Sequence, residues 1–268
     1  MATDMTGAGR PGVVSHFSPP VMAILSSQAL YSFPLRMARI DFLLPESNQV
    51  WQHLEIAAAR SHHDARRVYD DFLAATICAL SGGQMEERYL QTIKPYSEGR
   101  PGRRAIDAFP AALAAVIDAI EKTRQDILGD IFQGAITHGH NGQFFTPENV
   151  CKMMAQMTVD AEARNVFDPC CGSGRLLLAA ADINPQAEFL GQDVDLRCVH
   201  MTAINLALRN LCGWAIHGNS LSSEQWRIHR TGFNGKGVIA EVEPQVCPEP
   251  LKRIVTEVHS AATQLVLF

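Results

Sequence analysis

Val166-Phe167-Asp168-Pro169-Cys170-Cys171-Gly172-Ser173-Gly174-Arg175-Leu176 is the stretch that decides the fold. Two apolar residues close a short buried strand, Gly172 and Gly174 permit a tight turn, and Leu176-Leu177-Leu178-Ala179-Ala180 continues as a helix. A strand that enters a helix through glycines sets backbone N–H groups and a helix N-terminus at the rim of a parallel sheet, where α/β folds receive nucleotides. An ordinary strand–helix turn has the same glycines, so the flanking sequence has to discriminate.

Working outward, helix and strand alternate. Strands are expected at 165–168, 188–192 and 214–217, with a candidate fourth at 237–242. Helices are expected at 174–182 and 196–211, the second periodic through Val199, Ala203, Ile204, Ala207, Leu208 and Leu211, and a last one at 250–264. Such alternation predicts a parallel sheet with right-handed crossovers. Upstream, Pro147 suits the first position of a helix that would bury Val150, Met153, Met154 and Met157, the methionines as core filler. Asp193 ends the second strand, where nucleotide folds carry the acid that accepts ribose hydroxyls. Asp195 fits the cap of the following helix.

The preceding hundred residues look helical. The span 54–80 shows helical spacing (Val68, Phe72, Ala75, Ala79) with Arg60, Arg66 and Arg67 on another side. A shorter helix is expected at 86–93, a loop at 94–104, and the strongest helical pattern at 105–133. The loop's basic residues and Tyr96 could touch phosphate, but a solvated linker is the better expectation. Residues 1–18 are expected to be disordered, 19–135 to form a helical domain, and 136–268 an α/β domain.

Composition bounds the function classes. With 268 residues, 47% apolar and 19% charged, the chain reads as a globular protein that can bury one sizeable core, or a core plus a helical annex. A net charge of −5 means that any nucleic-acid contact must come from a local patch or a partner. Seven cysteines without a CxxC pair indicate reduced thiols in a cytoplasmic compartment. Cys170-Cys171 is poor spacing for zinc, His138 and His140 lack partners at ligand spacing, and no metal site is expected. No apolar run reaches the roughly 18 residues that span a bilayer.

Four segments stand in order: Gln125-Asp126-Ile127-Leu128-Gly129-Asp130-Ile131-Phe132, Gly142-Gln143-Phe144-Phe145-Thr146-Pro147, the glycine turn with Asp193, and His217-Gly218-Asn219-Ser220-Leu221. Together they resemble the S-adenosylmethionine site of N6-adenine DNA methyltransferases, specifically the modification subunits of type I restriction systems, over about Asp118 to Leu221. The resemblance implies a Rossmann-like S-adenosylmethionine-dependent methyltransferase sheet, apparently incomplete at about four strands, behind an α-helical N-terminal domain. It implies S-adenosylmethionine as cofactor, DNA as partner together with a specificity or other subunit, and a possible oligomer. In that comparison Asp168 and the Gly172–Gly174 turn meet the methionine moiety, with Asp168 pairing with the ammonium, and Cys170 is a further cofactor-binding residue. Asp193 takes the ribose. Phe145, Thr146 and Pro147 form a flap, with the Thr146 hydroxyl toward the carboxylate, and one of Phe144 and Phe145 does only core packing. Asn219 stands where relatives carry an aspartate facing adenine.

The chain departs from the family at the strand tip of the type Asn-Pro-Pro-aromatic, which grips the target amine and stacks on a flipped base. Gly237-Val238-Ile239-Ala240-Glu241-Val242-Glu243-Pro244 stands there, with two carboxylates expected to repel phosphate, and the stretch that follows is too short for three further strands. The catalytic residue is therefore not assigned. Phe17-Ser18-Pro19-Pro20-Val21 is a remote alternative, as a permuted motif. A non-catalytic DNA- or partner-binding module on a methyltransferase remnant is the competing expectation. A dinucleotide oxidoreductase is weaker, because Leu177 replaces the third glycine.

Overall fold

The computed structural model describes residues 40–137, 144–232, 235 and 237–244. The N-terminal segment expected to be disordered, Ser18-Pro19-Pro20, His138, His140 and the helix expected over 250–264 lie outside them.

The span expected as one helix at 54–80 is two. Helix α1 (Ser47–Ser61) stops at His62, which takes a left-handed φ of 57°. Asp64 restarts the helical chain by accepting the Arg67 N–H, opening α2 (Ala65–Ala79). The polar His62-His63-Asp64 step thus supplies a stop and an N-cap that the continuous apolar periodicity hides. Helix α3 (Glu86–Ile93) forms as expected. In the basic loop, Arg104 pairs with Asp107, and Arg60 donates to the Arg104 carbonyl.

The strong pattern over 105–133 is likewise interrupted. Helix α4 (Ala108–Thr123) closes on Arg124 at a φ of 57°. Asp126 then caps α5 (Ile127–Ile131) by accepting the Gly129 N–H, and the chain leaves through a π-helical turn, Phe132–Thr137. Single π turns are rare and concentrate at functional sites.

Helix α6 (Glu148–Thr158) corrects the expectation for its methionines. It buries Cys151 and Ala155 against Ala179, while Val150, Met153, Met154 and Met157 face outward, Met157 at 76% exposure. Its neighbour α7 (Arg175–Ile183) presents alanines, so the small stripe of α6 is the one that approaches closely.

The sheet is β1 (Asn165–Asp168), β2 (Glu188–Asp193), β3 (Gly213–Asn219), β4 (Glu224–Thr231) and β5 (Ile239–Val242), in the order β1-β2-β3-β4-β5. The first three are parallel, linked by α7 and by α8 (Leu196–Leu208). The other two are antiparallel additions, which corrects the all-parallel expectation and raises the strand count from four to five. Strand β4 hides in Glu224-Gln225-Trp226-Arg227-Ile228-His229-Arg230-Thr231, where arginines and a histidine occupy positions of a period-two pattern usually read from apolar residues.

One sheet face carries Phe167, Leu190, Trp214, Ile216, Ile228 and Val242. The other lies under α7 and α8. The helical layer packs on α8 through α2 and α5, so Leu54, Tyr69, Phe72, Leu128 and Phe132 belong to the same core cluster as Val199, Met201, Ile204, Ala215 and Ile239. Residues on both sides of the boundary expected near residue 135 therefore belong to one hydrophobic cluster. No described helix is long and apolar enough to cross a membrane.

Candidate functional site

The carboxyl ends of β1 and β2 open onto a cleft of about 290 Å³. Phe145, Cys170, Gly172 and Asp193 of the expected set line it, joined by Phe144, Pro169, Val194, Cys198 and Ser220. Such a volume lies at the lower end of ligand pockets.

Gly172 holds a left-handed φ of 54°, and a Cβ there would stand 2.8 Å from the Phe145 ring. The glycine therefore serves both a turn and a close approach. Its N–H donates to Asp193 Oδ2 at 2.9 Å, and the Asp195 N–H donates to Asp193 Oδ1 at 2.9 Å. Asp193 is thus held at the strand tip by backbone donors from both sides. Gly174, at a left-handed φ of 83°, begins α7 where a Cβ would also press on Thr202 of α8 at 3.0 Å, so backbone conformation and packing both call for glycine. The N-cap expected of Asp195 is present: its carboxylate accepts the Arg197 N–H and pairs with the Arg197 guanidinium.

The flap segment lies over the turn. Phe145 stacks on Phe132 at 5.5 Å between centroids and 14° between planes, whereas Phe144 is 73% exposed at the cleft. Arg175 donates to the Thr146 carbonyl at 3.3 Å, and Pro147 precedes the first turn of α6 as its cap. The Asp168 carboxylate accepts the Cys170 N–H. Asn219 turns its side-chain carbonyl to the Leu221 N–H, and the next residue, Ser220, lines the cleft.

The electrostatics favour a cationic or hydrogen-bond-donating ligand. Burial raises the pKa of Asp168 above the ordinary carboxylate range, and the neighbouring Asp193 charge adds to it while the Cys170 N–H opposes. Burial also raises Asp193, against the N–H groups of Asp195 and Gly172. A cation placed between them would favour both ionised forms.

Sequence inspection missed the group that anchors the turn. Asp126, almost fully buried, accepts from the Gly129 N–H, the Ser173 hydroxyl and Asn205 Nδ2, and pairs with Arg175 at 3.0 Å. It ties the start of α5 to the glycine turn and to α8. Asp130 does the same one turn later, accepting from the Leu43 and Leu44 N–H groups and the Ser47 hydroxyl. The available signal was polar residues at capping spacing, Asp126-x-x-Gly129, inside an otherwise apolar run.

The segment expected at the catalytic tip lies elsewhere. Strand β5 forms the edge opposite β1, four strand spacings or about 19 Å away. Glu241 pairs with Arg88 of α3 and with Arg227 of β4, so its charge is neutralised in docking β5 to the helical layer.

Comparison with known proteins finds sequence relatives of the segment that carries this cleft. The sequence model of the N-6 DNA Methylase family matches residues 123–240. The type I restriction enzyme MjaIX methylase subunit of Methanocaldococcus jannaschii is 30% identical over 103 residues, covering 33% of this chain and 18% of that protein. The MjaVIII methylase subunit of the same organism is 28% identical over 94 residues, covering 32% of this chain and 16% of that protein. The chain thus spans less than a fifth of the length of these relatives. No solved structure matches it. Residues 123–240 are thus similar to the N-6 DNA Methylase family, and the chain resembles the methylase subunits of type I restriction enzymes.

Proposed function

We propose that the cleft at the ends of β1 and β2 binds S-adenosylmethionine, and that the protein serves adenine-N6 methylation of DNA as a subunit of the type I modification kind. The observation that carries this reading is the joint placement of Asp193, Gly172 and Phe145 around one cleft. The acid is oriented by backbone N–H groups, the glycine leaves room beside it, and an aromatic ring covers the turn.

The residues present fit the cofactor. Asp193, with its remaining lone pairs, would accept from the ribose hydroxyls. Asp168 and the Gly172 turn would hold the amino acid end, with the Thr146 hydroxyl toward its carboxylate. Cys170 and Ser220 would line the middle, and Val194 and Phe144 would bracket the base. Asn219, engaged with Leu221, would orient Ser220. When bound, the cofactor supplies an electrophilic methyl group. The chain's own residues hold the donor, keep its cationic end beside two carboxylates and exclude water beneath the Phe145 ring.

DNA and a specificity subunit are the partners this reading implies, and a cytoplasmic location goes with it. The base-gripping tip is not assigned to any residue of this sequence. Tritiated S-adenosylmethionine supplied with DNA, with and without candidate subunits, tests the activity. Label recovered as N6-methyladenine supports it. The competing reading, a non-catalytic module, expects donor binding with no label in DNA under any combination.

A further inference from the structure

Arg197 does not line the cleft, yet it closes a ring of contacts around it. Asp193 accepts the Gly172 N–H, and the Phe145 ring lies against Gly172. Phe145 stacks on Phe132, and the Arg197 guanidinium carbon lies 5.0 Å from the Phe132 ring centroid. Arg197 pairs with Asp195, whose N–H returns to the other oxygen of Asp193. Two backbone hydrogen bonds, a close van der Waals approach, a ring stack, a cation–ring contact and an ion pair make up the ring, and the six residues come from the π-helical turn, the flap, the glycine turn, the end of β2 and the start of α8.

We infer that Arg197 is a positioning residue of the cleft: through Phe132 it fixes the Phe145 ring over Gly172, and through Asp195 it fixes the Asp193 carboxylate. A guanidinium over a buried aromatic face, itself paired to a carboxylate, has little freedom to move. Phe132 is fully buried, so displacement on its Arg197 side passes to its stacked partner. The flap and the acid are thereby set by one side chain, and loosening either end loosens the other. The ring is made of this chain's own residues alone. Its consequence for donor affinity rests on the function proposed above.

Hydrogen exchange followed by mass spectrometry on the full chain, without ligand, tests the ring directly. Arg197→Met should speed exchange of the Gly172 amide and of residues 144–146 by roughly tenfold, the loss of about one such cation–ring contact. Exchange in α4 should be unchanged. Arg197→Lys, which keeps a cation over the ring but not the paired fork, should fall between, and Phe132→Leu should reproduce the Arg197→Met pattern. Unchanged exchange at Gly172 in both Arg197→Met and Phe132→Leu would overturn the inference. So would an equal acceleration over the whole chain.

A calorimetric titration with S-adenosylmethionine forms the second arm. Arg197→Met should weaken binding by roughly tenfold, and Phe132→Leu added to it should cost little more, because both cut one ring. Additive losses would contradict the ring. Absence of binding by the unaltered chain would remove the proposed ligand, while the exchange data would still decide the ring.

Discussion

Asp126 and Ser173 share a hydrogen bond across 47 residues of sequence, and Arg175 and Asn205 bind the same carboxylate. That relationship makes the glycine turn dependent on the helical layer. Replacing Asp126 by Ala removes the ion-pair partner of the mostly buried Arg175, and Ser173 and Asn205 each lose a partner. A loss of about 3–5 kcal/mol of stability is expected from breaking such a buried pair. Chemical denaturation of Asp126→Ala against the unaltered chain measures it. Gly129→Ala should act similarly, because a Cβ there would strike both Asp126 and the Ser173 hydroxyl.

Gly172 separates binding from folding. Gly172→Ala pushes a methyl group toward the Phe145 ring and strains a left-handed turn, a cost of about 1–2 kcal/mol. Donor affinity should fall by at least tenfold while the melting temperature drops by only a few degrees, since Phe145 is half-buried and can shift. Paired calorimetry and thermal melts check this, and a variant that binds normally would show that the Phe145 contact is irrelevant to the cleft.

His200 and His229 form a buried ring pair 5.5 Å apart, and neither ring nitrogen of His229 has a hydrogen-bond partner among the described residues. Burial drives both pKa values from 6.5 to about 3, with Arg227 nearby in each case. Folding therefore keeps both rings neutral. Their contribution is fully present above the unfolded pKa and is lost as pH falls from about 6.5 toward 3. The expected slope is roughly 1.4 kcal/mol per pH unit for each histidine. His229→Leu should flatten the stability–pH curve below pH 6, as measured by denaturant midpoints at successive pH values.

The outward methionines of α6 give a contrast. Met153→Gln and Met157→Gln should change stability by no more than about 0.5 kcal/mol, because both side chains are exposed. Ala155→Leu, facing Ala179, should cost about 1–3 kcal/mol through overpacking. Denaturation of the three variants side by side distinguishes the two faces of the helix.

The parallel half of the fold was legible because strand, glycine turn and helix each carry local signals. β1, β2 and β3 form where Val166-Phe167, Phe189-Leu190 and Trp214-Ala215-Ile216 mark them. β4 was not legible, since Arg227, His229 and Arg230 owe their places to Glu241, to His200 and to the face of Trp214. The orientation of α6 was hidden for a related reason: two stripes compete on one helix, and which one is buried depends on the alanines of α7. At the site, the glycine turn and Asp193 could be found in the sequence, whereas Asp126 shows there only its capping spacing to Gly129 and Arg197 shows nothing. Their partners lie in distant segments, and no local pattern announces a long-range clamp.

Burial raises the pKa of both Asp193, which lines the cleft, and Asp168, at the end of β1 beside it. A cationic, hydroxyl-bearing ligand favours their ionised forms, so donor affinity should weaken as pH falls through the acid range and level off above neutrality. Titrations between pH 5 and pH 8 report the trend, and an affinity that rises toward acid would exclude both carboxylates as ligands.

The most direct measurement is a calorimetric titration of the unaltered chain and of Asp193→Ala with S-adenosylmethionine. Saturable heat from the unaltered chain and none from the variant is the expected result. No heat from the unaltered chain, or equal heat from both, would contradict a methyl-donor site at the ends of β1 and β2.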